Sequence, residues 1–230
     1  PFYGLQAQGV DGRLPPLSSI EDMAAQYVEA LRSVDPTGPY RLAGYSGGGV
    51  IAYEMAQLLR REGARVETIM MIDTLAPEAA RRRVPLLQKV WLKRHWPMAS
   101  AMDWPNRPRG GREMQRNYQL ALEKLARGEP LPPELADFHL FRNFTDAQER
   151  YQPRPYDGEV VLFRAQLAET LYLHAGPQLG WDELVSGEIR VTEIPGSHFS
   201  MMAEPGVSDL VEAFRGELAR LDGDPPLRAG

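Results

Sequence analysis

The sequence predicts an α/β protein with a mostly parallel central sheet flanked by helices. Three observations carry that prediction. Thr68–Ile72 is a nearly continuous apolar run, short enough for a strand buried on both faces. Strand, helix and strand follow one another from Tyr40 to Ile72 at the spacing of a βαβ unit. A G-x-S-x-G sequence, Gly44-Tyr45-Ser46-Gly47-Gly48, stands where the first of those strands meets the helix.

The elements follow in order. Phe2-Tyr3-Gly4-Leu5 reads as a short strand, followed by a Gly/Pro loop through Pro16. Ser19 and Asp22 fit a capping box, which gives partners to free N–H groups of a first helical turn. Ile20, Met23, Ala24, Tyr27, Val28 and Leu31 then share one helical face, and Asp35-Pro36-Thr37-Gly38-Pro39 stops the helix. Tyr40 to Tyr45 is a strand. Val50 to Arg61 is a helix apolar on most sides, predicted to be well buried and closed by Gly63.

From Asp73 to Gly158 no comparable strand is expected. Pro77 to Gly111 is rich in Pro and Arg; Met114, Tyr118, Ala121, Leu122 and Leu125 mark an amphipathic helix closed by Gly128. A further helix is predicted from Pro133 to about Tyr151. A mostly helical insertion over about 77–152, between two strands, reads as a lid over a site. Strand character returns at Glu159–Arg164 and, after a loop and short helix, at Ile189–Ile194. The last helix carries Leu210, Val211, Phe214, Leu218 and Leu221 on one face, and Asp222 to Gly230 reads as a tail.

Composition narrows the function classes. The 230 residues fit one domain with an insertion, and 43% apolar content suffices for one large core. A formal charge of −5 supplies no global attraction for nucleic acid or an anionic membrane. With no cysteine, disulfide scaffolds, thiolate zinc sites and cysteine nucleophiles are excluded. No run reaches the roughly 18–20 apolar residues of a membrane span. Pro1-Phe2-Tyr3-Gly4 lacks the marks of a signal peptide, so a cytoplasmic protein is expected.

The chemistry centres on Ser46. A sharp strand-to-helix turn lifts its hydroxyl above the sheet edge, and the motif glycines are expected where a Cβ would clash. The N–H of Gly47 is then one oxyanion donor at a helix N-terminus. A serine hydroxyl needs a base. Of His95, His139, His174 and His198, only His198 follows the last strand, as the order Ser–acid–His requires. Asp73 ends the Thr68–Ile72 strand at the same sheet edge as Ser46 and is the favoured acid. Glu169, after the Glu159–Arg164 strand, is the rival.

Tyr40–Gly49, the segment Ile72-Asp73-Thr74-Leu75-Ala76-Pro77 and Gly196-Ser197-His198-Phe199 resemble a type I thioesterase domain of nonribosomal peptide synthetases and polyketide synthases. The spacings agree: 27 residues from Ser46 to Asp73 and 125 from Asp73 to His198. Tyr151–Ala165 resembles the family's return from lid to sheet, and Gly180-Trp181 its approach to the last strand. The resemblance covers the whole chain and is weakest from Glu78 to Asn143. It implies an α/β-hydrolase fold and a single domain over 1–230. It also implies that the family's first strand and the loop carrying the second oxyanion N–H lie upstream of Pro1.

The resemblance further implies a two-step reaction. Ser46 takes an acyl, polyketide or peptidyl chain from the phosphopantetheine arm of a carrier protein domain, expected in the same polypeptide. Water or a nucleophile on the chain then releases it by hydrolysis or cyclisation. No bound cofactor and no metal are expected. Two readings compete: a stand-alone editing thioesterase or small-ester hydrolase with the same triad, and a non-enzymatic interaction module. Arg81-Arg82-Arg83 and Arg107 to Arg116 read as a solvated face, with carrier contact as the alternative. Trp91, Trp96, Met98, Met102 and Trp104 read as lid core, with substrate wall as the alternative.

Overall fold

A computed structural model describes residues 2–11, 14–82, 111–129, 131–167 and 175–223. Four strands form one sheet in the order β1 (Tyr40–Tyr45), β2 (Val66–Ile72), β3 (Val160–Leu167) and β4 (Ile189–Ser197). All three pairings are parallel, with Tyr45 beside Ile72 and Ile72 beside Phe163. Parallel strands end at a common edge, so the residues that follow β1, β2 and β4 are gathered there: Ser46, Asp73 and His198.

The alternation of side chains divides the core between two faces. Leu42, Ile69, Met71 and Leu162 pack with α1 (Ile20–Val34) and α2 (Gly47–Arg61). Met70, Val161, Phe163 and Ile194 face the other way and pack with Leu210, Phe214, Leu218 and Leu221 of the last helix, Gly206–Asp222. Coverage on both faces is why Ile69–Ile72 of β2 reads as an unbroken apolar run. β1 is buried on one face only: Tyr40 and Leu42 are inside, Arg41 and Ala43 outside.

Local chemistry sets the ends of α1. Ser19 accepts from the Asp22 N–H at 3.1 Å and its hydroxyl donates to the Asp22 carboxylate at 2.6 Å. After α1, the Asp35 carboxylate accepts from the N–H groups of Thr37 and Gly38, folding the stop segment into a turn. Between β2 and β3 lie α3 (Pro77–Arg81), α4 (Gly111–Ala126) and α5 (Pro133–Arg150), with no strand among the described residues. The last helix is α6.

Several expectations are corrected. Residues 2–7 form no strand; a strand exists by pairing, and no described strand runs beside them. Phe2 instead sets its ring edge-on to Phe214 at 6.5 Å. α2 starts at Gly47 rather than Val50: the three glycines of poor helix propensity form its first turn, with Gly49 buried and Gly48 exposed. β2 begins two residues before Thr68, β3 runs on to Leu167 and β4 to Ser197. Val211 and Leu122 are exposed, since each helix buries a narrower stripe than its apolar residues allow. The Trp91–Trp104 cluster and the tail from 224 lie outside the described residues.

A carboxylate is buried beneath α2, away from the Ser46 turn. Glu54 of α2 accepts from the Tyr151 hydroxyl at 2.7 Å and from Arg61 at 3.3 Å. Burial, with the Glu54 carboxylate second, pushes the Tyr151 phenol pKa up, so it stays a donor. Along the same helix, Tyr53 donates to the Arg154 carbonyl and Gln57 to those of Arg154 and Pro155.

Candidate active site

The elbow at Ser46 is built by close approach. Ser46 has φ 52° and ψ −122°, a conformation that L residues rarely adopt. Its N–H donates to the Ile72 carbonyl at 2.8 Å, and its carbonyl accepts from Gly49 N–H and the Thr74 hydroxyl. A Cβ on Gly44 would lie 2.2 Å from the Gly48 carbonyl, so only glycine fits there. A Cβ on Gly49 would lie 2.1 Å from the Thr74 hydroxyl. Gly48 itself has open space around that position, so the clash expected at both motif glycines arises at Gly44 and not at Gly48. Gly47 opens α2, its N–H at the positive end of the helix dipole.

Asp73 and His198 meet at the same edge. Asp73 is 1% exposed and His198 6%, and Asp73 Oδ2 lies 2.8 Å from His198 Nδ1. The other carboxylate oxygen, Oδ1, accepts from the Ala165 N–H at 2.9 Å. An ionised carboxylate only accepts, so Nδ1 carries the proton between them and the neutral ring keeps its lone pair on Nε2. Asp73 has φ 44°, and its N–H donates to the Phe163 carbonyl at 2.7 Å. β3 thus holds the acid from two sides.

The imidazole is held between rings. Tyr45 stacks on it at 4.8 Å and donates its hydroxyl to the His198 carbonyl at 2.7 Å. Phe199 meets it edge-on at 5.0 Å. The turn after β4 is closed by Ser200, whose Oγ accepts from the Ser197 N–H at 2.7 Å.

Sequence reasoning named Ser46, Gly47, Asp73 and His198. The Asp73–His198 pair is in contact, and Ser46 and Gly47 form the turn beside Tyr45. The supporting residues Tyr45, Thr74, Ser200 and Phe144 were missed. Tyr45 fills the variable position of the motif and Thr74 follows the acid, so proximity in sequence was their only signal. Phe144, on α5, carried none: a Cβ on Gly47 would lie 2.3 Å from its ring.

Of the other histidines, His139 is buried on α5, where desolvation lowers its pKa. His95, His174 and Glu169 lie outside the described residues. Arg81 pairs with Glu78 and donates to the Tyr151 carbonyl, while Arg82 pairs with Glu183. Both therefore have partners within the chain. Arg116 is exposed on α4; Arg83 and residues 107–110 lie outside the described residues. Among the described residues, no cluster of three or more His, Asp or Glu could hold a metal ion, and no helix is long and apolar enough to cross a membrane.

Comparison with known proteins places this geometry. The family model of the thioesterase domain matches residues 1–218. Polyketide synthase PksR of Bacillus subtilis (strain 168) is 49% identical over 74 residues, 32% of this chain and 3% of that protein. Atromentin synthetase greA of Suillus grevillei is 28% identical over 237 residues, 95% of this chain and 24% of that protein. The chain thus spans a quarter or less of these curated relatives. Among solved structures, holo-AB3403, a four-domain nonribosomal peptide synthetase bound to AMP and glycine, aligns with a TM-score of 0.68 at 25% identity, covering 96% of this chain and 17% of that one. The fold is of the α/β-hydrolase type.

Proposed function

The chain belongs to the thioesterase domain family, a family of hydrolases, and from that premise we propose that it releases acyl, polyketide or peptidyl chains from a phosphopantetheinyl carrier domain through a Ser46–His198–Asp73 triad. The observation that carries the reading is the buried 2.8 Å contact between Asp73 and His198, at the sheet edge where the Ser46 elbow stands.

His198 Nε2 takes the Ser46 proton as Oγ attacks the thioester carbonyl. The oxyanion is met by the Gly47 N–H and by a second donor from the loop that the family carries before the Phe2–Leu5 segment. Collapse expels the pantetheine thiolate, which takes its proton from His198, and leaves an acyl ester on Ser46. His198 then activates water, giving an acid, or a nucleophile on the chain, giving a ring. Asp73 keeps the imidazole in the productive tautomer and stabilises its protonated form. The phosphopantetheine arm is the substrate's carrier, and the reaction needs no resident cofactor.

The relatives support the carrier as partner. PksR is a polyketide synthase, and this chain aligns with only 3% of it, as a domain of a longer enzyme would. The proposed setting is the cytoplasm, in the same polypeptide as the carrier.

The test is intact-protein mass after mixing with an acyl-pantetheine thioester, beside Ser46→Ala. An acyl adduct on the parent that is missing from the variant is the expected result. Turnover that survives Ser46→Ala would refute the reading. The released products separate hydrolysis from cyclisation.

A further inference from the structure

A cavity of about 300 Å³ lies between the loop before α1, α1 itself and α5, at the lower end of the size range of small-molecule sites. Its walls are mostly apolar, with Leu17 from the loop, Met23 and Tyr27 from α1, and Leu140, Phe141 and Phe144 from α5. Leu140 and Phe144, four residues apart, share one face of α5, while Phe141 beside them is 56% exposed. Gln8 and Gln26 also line it, and their amides bond to each other and to the Pro15 carbonyl. The single carboxylate among the lining residues, Asp137, is exposed.

Phe144 belongs to two places at once. It lines this cavity, and its ring covers Gly47, the donor beside the nucleophile. The residue before it in the helix, Asn143, donates to the Leu17 carbonyl, and Arg150 donates to that of Ser18 at 2.8 Å. This stretch of α5 is therefore tied to the loop while the Phe144 ring stands between elbow and cavity.

We infer that Phe144 is a chain-length determinant: the cavity takes the distal, unbranched apolar end of the acyl group carried by Ser46, and the Phe144 ring limits its entry. The inference rests on the acyl-serine chemistry proposed above. The occupant follows from the site. The walls are mostly apolar, and Phe144, which lines the cavity and meets Gly47 at the elbow, is an apolar ring. Each methylene that enters should be worth about four-fold in specificity.

The test uses acetyl, hexanoyl and dodecanoyl N-acetylcysteamine thioesters with the parent, Phe144→Ala and Leu140→Trp. The readout is the ratio of dodecanoyl to acetyl kcat/KM, so a general loss of activity cancels. Phe144→Ala should raise that ratio by about ten-fold or more, the worth of two or more methylenes. Leu140→Trp, which fills the cavity from a different wall, should lower it. Labelling of Ser46 by a fluorophosphonate is followed in parallel. Ratios within two-fold of the parent's in both variants, with Ser46 labelled, would overturn the cavity assignment and leave the chemistry standing. A folded parent whose Ser46 is not labelled would overturn the chemistry and, with it, this inference.

Discussion

Asp73→Asn isolates the role of the acid, because the structure decides which way the new amide must turn. The replacement has the same shape and stays buried. The Ala165 N–H, 2.9 Å from one carboxylate oxygen, still needs an acceptor. Turning the amide carbonyl towards it directs the NH₂ at His198 Nδ1. That nitrogen must then accept, so the imidazole proton moves to Nε2 and no lone pair remains for the Ser46 hydroxyl. The opposite orientation keeps the productive tautomer but sets NH₂ against a buried N–H, at a cost of about 1–3 kcal/mol. Orientation alone thus removes about 5- to 150-fold, at ~1.4 kcal/mol per decade. Loss of the charge that stabilises the imidazolium adds to this, and triads of this kind lose about 10⁴ in kcat. The assay is single-turnover acylation of Ser46 by an acyl-pantetheine thioester, with a thermal melt to show the fold is kept. A folded variant that acylates within about ten-fold of the parent would refute the assignment of Asp73.

The remaining predictions concern stability. Ser46→Gly should melt a few degrees higher than the parent: relief of about 1–3 kcal/mol of backbone strain exceeds the ~0.5–1 kcal/mol that glycine loses in entropy. An equal or lower melting temperature would show that the elbow is not strained. Tyr151→Phe should cost about 1.5–3 kcal/mol in guanidinium unfolding, because the buried Glu54 carboxylate loses a donor. His139 supplies an acid-side slope. Its folded pKa lies below that of the unfolded chain, so as pH falls through about 6.5 the unfolded chain takes up the proton first and stability declines. His139→Gln should flatten that part of the stability–pH curve, and an unchanged curve would discount the burial of this ring.

What the sequence revealed depended on how locally each feature is encoded. The Ser19 cap, the β1–α2–β2 unit and the arrival of Asp73 and His198 at one sheet edge follow from neighbouring residues or chain order. The true start of α2 was hidden because Gly47-Gly48-Gly49 lacks intrinsic helix preference. The Phe2–Leu5 strand was overread, since an apolar quartet carries no information about whether a neighbour lies beside it. Phe144 was invisible for a different reason. Its contact with Gly47 spans nearly a hundred residues, and no spacing rule connects an insertion to the elbow beneath it.

The grip of α2 on the segment after α5 sets a rule for building chimaeras. Glu54 holds Tyr151, and Tyr53 and Gln57 hold the Arg154 and Pro155 carbonyls, so the helix that presents Ser46 also fastens the chain returning to the sheet. The backbone at Arg154 and Pro155 therefore travels with α2, while Tyr151 is shared, its hydroxyl on Glu54 and its carbonyl on Arg81 of α3. A transplanted insertion should be joined at Arg150, keeping the recipient's own return segment. A splice at Tyr156 would import a foreign strap onto a helix that did not evolve to bind it.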